Sequence, residues 1–135
     1  MRFLLDTNII FSGVYNLDSN AGKLLLLAAE GRIELISLEY VKNELIRILD
    51  KRLRFKENEI EEIILSLPIE WIEEEIYSEN VVEASKLISH ERDIPILACA
   101  LSLNSDIVSG DKHFHKIKTK KIKVWKLKKA VEEFE

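Results

Sequence analysis

The 135-residue sequence contains no glutamine and only one cysteine, one methionine, two prolines and four glycines. A single cysteine excludes an internal disulfide. No stretch approaches the roughly 20 consecutive apolar residues that a membrane-spanning helix needs, and there is no signal-peptide pattern. With 47% hydrophobic residues, these absences predict one ordered domain over residues 1–135, in the cytoplasm and without a membrane partner.

The net charge of −4 conceals a strong asymmetry along the chain. Residues 57–85 include ten glutamates and no lysine or arginine, whereas residues 112–129 include nine lysines and no acid. Such polarity can steer an anionic partner toward one end of a molecule. Two solvated faces of opposite sign would produce the same pattern, so charge alone does not identify nucleic acid as the partner.

The first residues of the chain carry the most informative local pattern. The run Phe3-Leu4-Leu5 leaves no polar face, which predicts a strand buried on both sides, as in the centre of a parallel sheet. The run ends at Asp6, and Asp6-Thr7-Asn8 are turn and helix-capping residues. Asp6 is therefore expected at the carboxyl end of a central strand, where α/β proteins bind ligands. By itself, Asp6 is explained equally well as a helix cap.

The remaining elements alternate between strand and helix patterns. Apolar periodicity and breaker residues predict helices over residues 19–30, 38–53, 57–66 and 80–90, one beginning at Asp93, a short one over 128–135, and strands at 33–37, 69–72, 107–109 and 121–127. We therefore predict an α/β fold in which helices sandwich a parallel sheet of four to five strands. Residues 121–127 alternate lysine with apolar residues, which predicts an edge strand.

Three further acids stand at element ends or beside a core-facing helix stripe. Glu44 flanks the apolar face of the helix over 38–53, Asp93 begins a buried helix, and Asp111 follows a short buried strand. Each has an ordinary explanation, as a boundary residue, a cap or a turn residue. Together with Asp6, however, they are expected near one rim of the sheet, where carboxylates repel one another unless a cation intervenes.

The residue types at this rim favour a particular metal. Oxygen ligands suit Mg²⁺ or Mn²⁺, and no histidine and cysteine set has the spacing of a zinc site. His113 and His115 lie near Asp111, and we interpret them as surface residues or substrate contacts.

In this order, the motifs resemble those of PIN-domain nucleases, most closely the small prokaryotic toxins of the VapC-like type. The resemblance covers essentially the whole chain. It rests on residues 3–8, on Glu44, and on the blocks DIPILACA (93–100) and DIVSGDKHF (106–114).

The resemblance implies a PIN-like fold and a metal-dependent endoribonuclease that cleaves single-stranded RNA. It implies an acidic pocket of Asp6, Glu44, Asp93 and Asp111 that binds Mg²⁺ or Mn²⁺, with Asn8 and Ser109 as polar residues that line or orient it. It also implies a homodimer and an antitoxin protein that inhibits the site. Two departures stand out: His113 occupies a position where many relatives have an acid, and Ser109 replaces the commoner threonine.

Other classes of protein remain as alternatives. A PIN-domain RNA-processing nuclease outside a toxin–antitoxin system, or a non-catalytic RNA-binding scaffold, would carry the same fold. A receiver domain or another phosphoryl-transfer enzyme also places acids at strand ends. A haloacid-dehalogenase-type enzyme requires a second aspartate two residues after the first, and that position is Asn8 here.

Overall fold

A five-stranded parallel sheet flanked by helices forms the protein; the computed structural model describes all residues, Met1–Glu135. The strands are β1 (Arg2–Leu5), β2 (Glu34–Leu38), β3 (Ile69–Ile72), β4 (Asp106–Val108) and β5 (Val124–Trp125). The helices are α1 (Thr7–Tyr15), α2 (Asn20–Ala29), α3 (Glu39–Leu53), α4 (Glu57–Ser66), α5 (Glu74–Tyr77), α6 (Val81–Leu87), α7 (Ile94–Leu103), α8 (Lys112–His115) and α9 (Leu127–Phe134), with a 3₁₀ turn at Ser78–Asn80. The predicted α/β fold class is confirmed. None of the helices combines the length and the apolar character needed to cross a bilayer.

The sheet order is β3-β2-β1-β4-β5, which puts the opening strand at the centre as predicted. Leu4 lies between Ile36 of β2 and Ile107 of β4. Leu4 and its neighbours Phe3 and Leu5 are fully buried. A central parallel strand is covered on both faces, and this is the physical reason for its uninterrupted apolar run.

The register between β1 and β4 determines where Asp6 and Ser109 lie. Leu5 pairs with Val108, so Asp6 and Ser109 leave their strands at the same level. The chain passes from β1 to β2 on one side of the sheet and enters β4 on the other, which makes the β1–β4 boundary a topological switch point. The crevice outside the strand ends at such a point is where open α/β sheets bind ligands.

The edge strand β5 is shorter than the predicted segment, since only Val124–Trp125 pairs with β4. The carboxylate of Asp106 holds it, accepting hydrogen bonds from Lys123 N (2.9 Å) and from the indole Nε1 of Trp125 (3.0 Å). Lys123 Nζ lies 4.4 Å from the centre of the Trp125 ring. The predicted edge position is correct, and side-chain contacts rather than a long ladder keep this strand in place.

The helix predicted over residues 80–90 ends earlier, at Leu87. Ile88 is extended (φ −141°, ψ 139°) and its side chain is buried; its backbone N–H makes the last hydrogen bond of the helix, to Ala84 O. A turn follows, closed by a 2.9 Å hydrogen bond from Asp93 N to His90 O. This turn brings residues 90–93 to the carboxyl edge of the sheet.

Candidate active site

A cavity of about 320 Å³ lies outside the carboxyl ends of β1 and β4, and polar side chains line most of it. All four acids predicted from the sequence lie on its wall, namely Asp6, Glu44, Asp93 and Asp111. The predicted polar residue Asn8 also lines the cavity and is exposed, whereas Ser109 lies buried directly behind Asp6.

Asp6 is the most buried acid of the cavity, with 9% of its surface exposed. It caps α1, since Oδ1 accepts a 3.0 Å hydrogen bond from Ile9 N, and Oδ2 accepts one of 2.9 Å from Ser109 Oγ. Burial raises the pKa of Asp6 above its ordinary value; the two hydrogen bonds oppose this, and the charges of Asp111 and Asp93 add to it. The cap and the pocket acid are therefore the same residue.

Asp111 is tied to Asp6 through Ser109. The backbone N–H of Asp111 donates a 3.0 Å hydrogen bond to Ser109 Oγ, whose hydroxyl in turn donates to Asp6. The carboxylate of Asp111 accepts from His113 N at 2.9 Å and so begins the short helix α8. One serine thus holds the acids of β1 and β4 at a common edge.

Asp93 stands at the N-cap position of α7, yet its side chain makes no capping hydrogen bond. Its backbone is helical rather than extended (φ −90°, ψ −19°), and Pro95 removes an amide that a cap would bind. The capping role expected from sequence is therefore wrong, and the carboxylate faces the cavity. Burial raises the pKa of Asp93, and Asp111 raises it further, while nearby histidines and Arg92 lower it.

Glu44 reaches the cavity from α3 and forms an ion pair with Arg92. Its side chain is 21% exposed, compared with 78% for that of Arg92. The hydroxyl of Tyr40, one turn before Glu44, donates to the carbonyl of Arg92 and anchors the turn over α3. Burial, and then the charge of Glu44, raise the pKa of Tyr40 to about 12, so its hydroxyl keeps its proton.

Sequence reasoning did not single out Tyr40, His90 or Arg92 as candidate site residues, and it interpreted His113 as a surface residue or a substrate contact. All four line the cavity. His113 Nδ1 lies 2.9 Å from Asp111 Oδ1 and 3.9 Å from Asp93 Oδ2. The available signal was proximity in the sequence, because His90 and Arg92 both lie within three residues of Asp93.

A second cavity, of about 500 Å³, lies on the other side of Ser109 and Gly110. Its wall includes three lysines of the basic segment, namely Lys112, Lys116 and Lys126. Part of the lysine-rich segment 112–129 thus lies next to the acidic cavity, at the same edge of the sheet.

The fold and the acidic cavity are typical of α/β proteins that bind ligands at the carboxyl ends of their parallel strands. The model of the PIN domain family matches residues 4–134, and the chain belongs to this family. PIN domains are nucleases, so the family gives the class of activity. The resemblance predicted from the sequence is confirmed.

Two solved structures have the same fold. One is VapBC2 from Rickettsia felis bound to a DNA fragment from their promoter, with 23% identity, a TM-score of 0.61, and coverage of 93% of this chain and 98% of that chain. The other is VapBC-1 from nontypeable Haemophilus influenzae, with 21% identity, a TM-score of 0.57, and coverage of 95% and 99%. No curated protein matches the chain significantly.

Proposed function

We propose that this PIN-domain protein is an endoribonuclease that cleaves single-stranded RNA with Mg²⁺ or Mn²⁺ in the acidic cavity. The observation that carries the proposal is the convergence of Asp6, Asp93 and Asp111 on one cavity wall, from three separate elements. Family membership supports nuclease chemistry. The lysine-lined cavity alongside supports a polyanionic substrate, because lysines neutralise backbone phosphates.

The donor set fits a hard divalent cation. The three aspartates offer only carboxylate oxygens, which Mg²⁺ and Mn²⁺ prefer. Burial raises the pKa values of Asp6 and Asp93 most, and the charge of Asp111 raises both further, a repulsion that a cation would relieve. When bound, the ion would supply a Lewis acid that offsets charge on the scissile phosphate and helps to activate a water.

The chain's own residues would position these groups. Ser109 and the Ile9 amide hold Asp6 in one orientation by two hydrogen bonds. Glu44, which lines the cavity and pairs with Arg92, would complete the ligand set or orient the attacking water. Arg92 is mostly exposed and would meet the phosphate backbone at the cavity mouth.

We further propose that the protein acts in the cytoplasm as the toxin of a toxin–antitoxin pair and forms a homodimer. The similarity of its fold to the VapBC structures supports this. Expression of the wild type should arrest bacterial growth, whereas Asp111→Asn should not. Co-expression of a cognate antitoxin should restore growth, and sedimentation should show a dimer. Wild-type expression without any growth defect would instead favour a processing role outside such a pair.

The nuclease is tested by incubating the purified protein with a panel of single-stranded RNAs. Cleavage should require Mg²⁺ or Mn²⁺, stop in EDTA and be lost in Asp111→Asn. The matched control is Asp50→Asn, which makes the same change at an exposed acid of α3 outside the cavity and should cleave normally. Wild-type cleavage by Asp111→Asn, or under full chelation, would contradict the proposed mechanism.

A further inference from the structure

We propose that His90, Asp93 and His113 form a binding site for a divalent transition-metal ion that prefers nitrogen ligands, with Zn²⁺ as its representative. One ligand atom from each side chain lies within 4.8 Å of the other two. The two imidazole rings stack at a centroid distance of 3.7 Å with an interplanar angle of 27°. The segments that bring them together are the turn before α7 and the start of α8.

The environment of His113 prepares its ring for a metal. Its Nδ1 lies 2.9 Å from Asp111 Oδ1 and 3.9 Å from Asp93 Oδ2, so the ring stands beside two carboxylates. A carboxylate next to the imidazole is the common outer partner of a metal-binding histidine. In the proposed site, Asp111 contacts His113 without binding the metal, whereas Asp93 is a direct ligand.

The third histidine of the chain has a different role. His115 Nε2 donates a 2.7 Å hydrogen bond to the carbonyl of Ser109, so that nitrogen has no lone pair for a metal. His115 lines the second, lysine-lined cavity and not the acidic one. It therefore provides a matched control that lies only two residues from His113.

The donor set selects the kind of ion. Two imidazoles and one carboxylate suit Zn²⁺, Ni²⁺ or Co²⁺, whereas Mg²⁺ requires oxygen ligands. Three protein ligands with an open fourth position are the usual arrangement of a reactive zinc site. With Zn–N bonds of about 2.0–2.1 Å, tetrahedral ligands lie roughly 3.4 Å apart. Exposed His90 can close this distance by side-chain rotation.

This site goes beyond the proposed function, because it requires neither RNA nor catalysis. Its three residues line the same cavity as the acids, but only Asp93 is also a proposed ligand of Mg²⁺ or Mn²⁺. Asp6 and Glu44 lie outside the histidine cluster. Variants can therefore separate an ion held by the histidines from one held by the aspartates.

Binding of Zn²⁺ to the metal-free protein is measured by titration calorimetry, and binding of Co²⁺ by its visible absorption. His90→Ala and His113→Ala should each weaken Zn²⁺ binding by at least about tenfold, the loss typical of disturbed metal sites. His115→Ala and Asp6→Asn should retain it. Tetrahedral Co²⁺ absorption should appear in the wild type and vanish in both cluster variants, while Mg²⁺ binding should survive His90→Ala.

Undiminished Zn²⁺ affinity in the His90→Ala/His113→Ala double variant would overturn the proposal. So would loss of Zn²⁺ binding in Asp6→Asn with retention in the histidine variants, since the ion would then lie among the aspartates. That second result would leave the proposed nuclease intact. Thermal melting of each variant checks folding, and exposed His90 gives a substitution that should leave the fold unchanged.

Discussion

Ser109 Oγ donates a 2.9 Å hydrogen bond to Asp6 Oδ2, and both residues are buried at the edge of the sheet. The same oxygen accepts a 3.0 Å hydrogen bond from Asp111 N. This serine therefore links Asp6, which follows β1, to Asp111, which follows β4. Its hydroxyl orients one carboxylate and fixes the backbone that carries the other.

Replacing this serine tests the link. Ser109→Ala should lower the free energy of unfolding by about 1–3 kcal/mol, because a buried carboxylate oxygen and a backbone amide both lose a partner. Ser109→Thr keeps the hydroxyl and should cost less. Urea denaturation in EDTA measures both. Equal stability of the alanine variant and the wild type would show that the hydrogen bond contributes nothing.

Asp6→Asn separates a metal ligand from a helix cap. Asparagine can still cap α1, so the metal-free variant should be as stable as the wild type or slightly more stable. Mn²⁺ at a hundredfold excess over its dissociation constant should stabilise the wild type by about 2.7 kcal/mol. The variant should lose most of this gain, as measured by melting with and without Mn²⁺. Equal metal-induced shifts would show that Asp6 is not a ligand.

The pKa of Asp6 predicts how the stability of the metal-free protein depends on pH. Because the folded pKa is raised above the ordinary 3.8, the folded state binds this proton more tightly than the unfolded state. The stabilisation is present below that ordinary value and is lost as pH rises through the raised one. Relative to Asp6→Asn, the wild type should therefore lose stability as pH rises above the ordinary pKa of 3.8. Urea denaturation at a series of pH values from acid to neutral, in EDTA, provides the measurement, and a constant difference would contradict it.

The ion pair of Arg92 with Glu44 should lower the affinity of the cavity for a cation, because it neutralises one of the carboxylates. Arg92→Gln frees the carboxylate and should tighten Mn²⁺ binding by up to about fivefold, since exposed pairs contribute at most roughly 1 kcal/mol. Arg47→Gln removes a similar charge from exposed Arg47 of α3 without releasing Glu44 and should change the affinity less. Calorimetric titration distinguishes the two. Weaker binding in Arg92→Gln would mean that Arg92 supports the site instead.

The central strand should dominate the stability of the sheet. Leu4 is fully buried between β2 and β4, and Leu4→Ala should cost about 2–5 kcal/mol through lost burial and a cavity. Lys118→Ala, at an exposed position, should change stability by less than about 0.5 kcal/mol. Chemical denaturation compares them, and similar losses would contradict the observed sheet order.

The sequence alone indicated most of the strands and helices and the four acids, because both are local properties. An apolar run followed by Asp6 defines the first βα unit whatever surrounds it, and the same logic located Asp111 after β4. The parallel sheet then follows from the alternation of strands and helices. Where the local signal was weak, as in residues 88–90, the prediction extended a helix that in the structure ends at Leu87.

Only the tertiary structure decided which side chains the acids contact. Ser109 meets Asp6 across 103 residues, and Arg92 meets Glu44 across 48, so neither contact leaves a local signal. The stacking of His90 on His113 likewise requires the turn before α7 to lie against α8. Strand register sets the contact between Ser109 and Asp6, because Leu5 pairs with Val108 and the two strands end at the same level. No periodicity within either strand encodes that register.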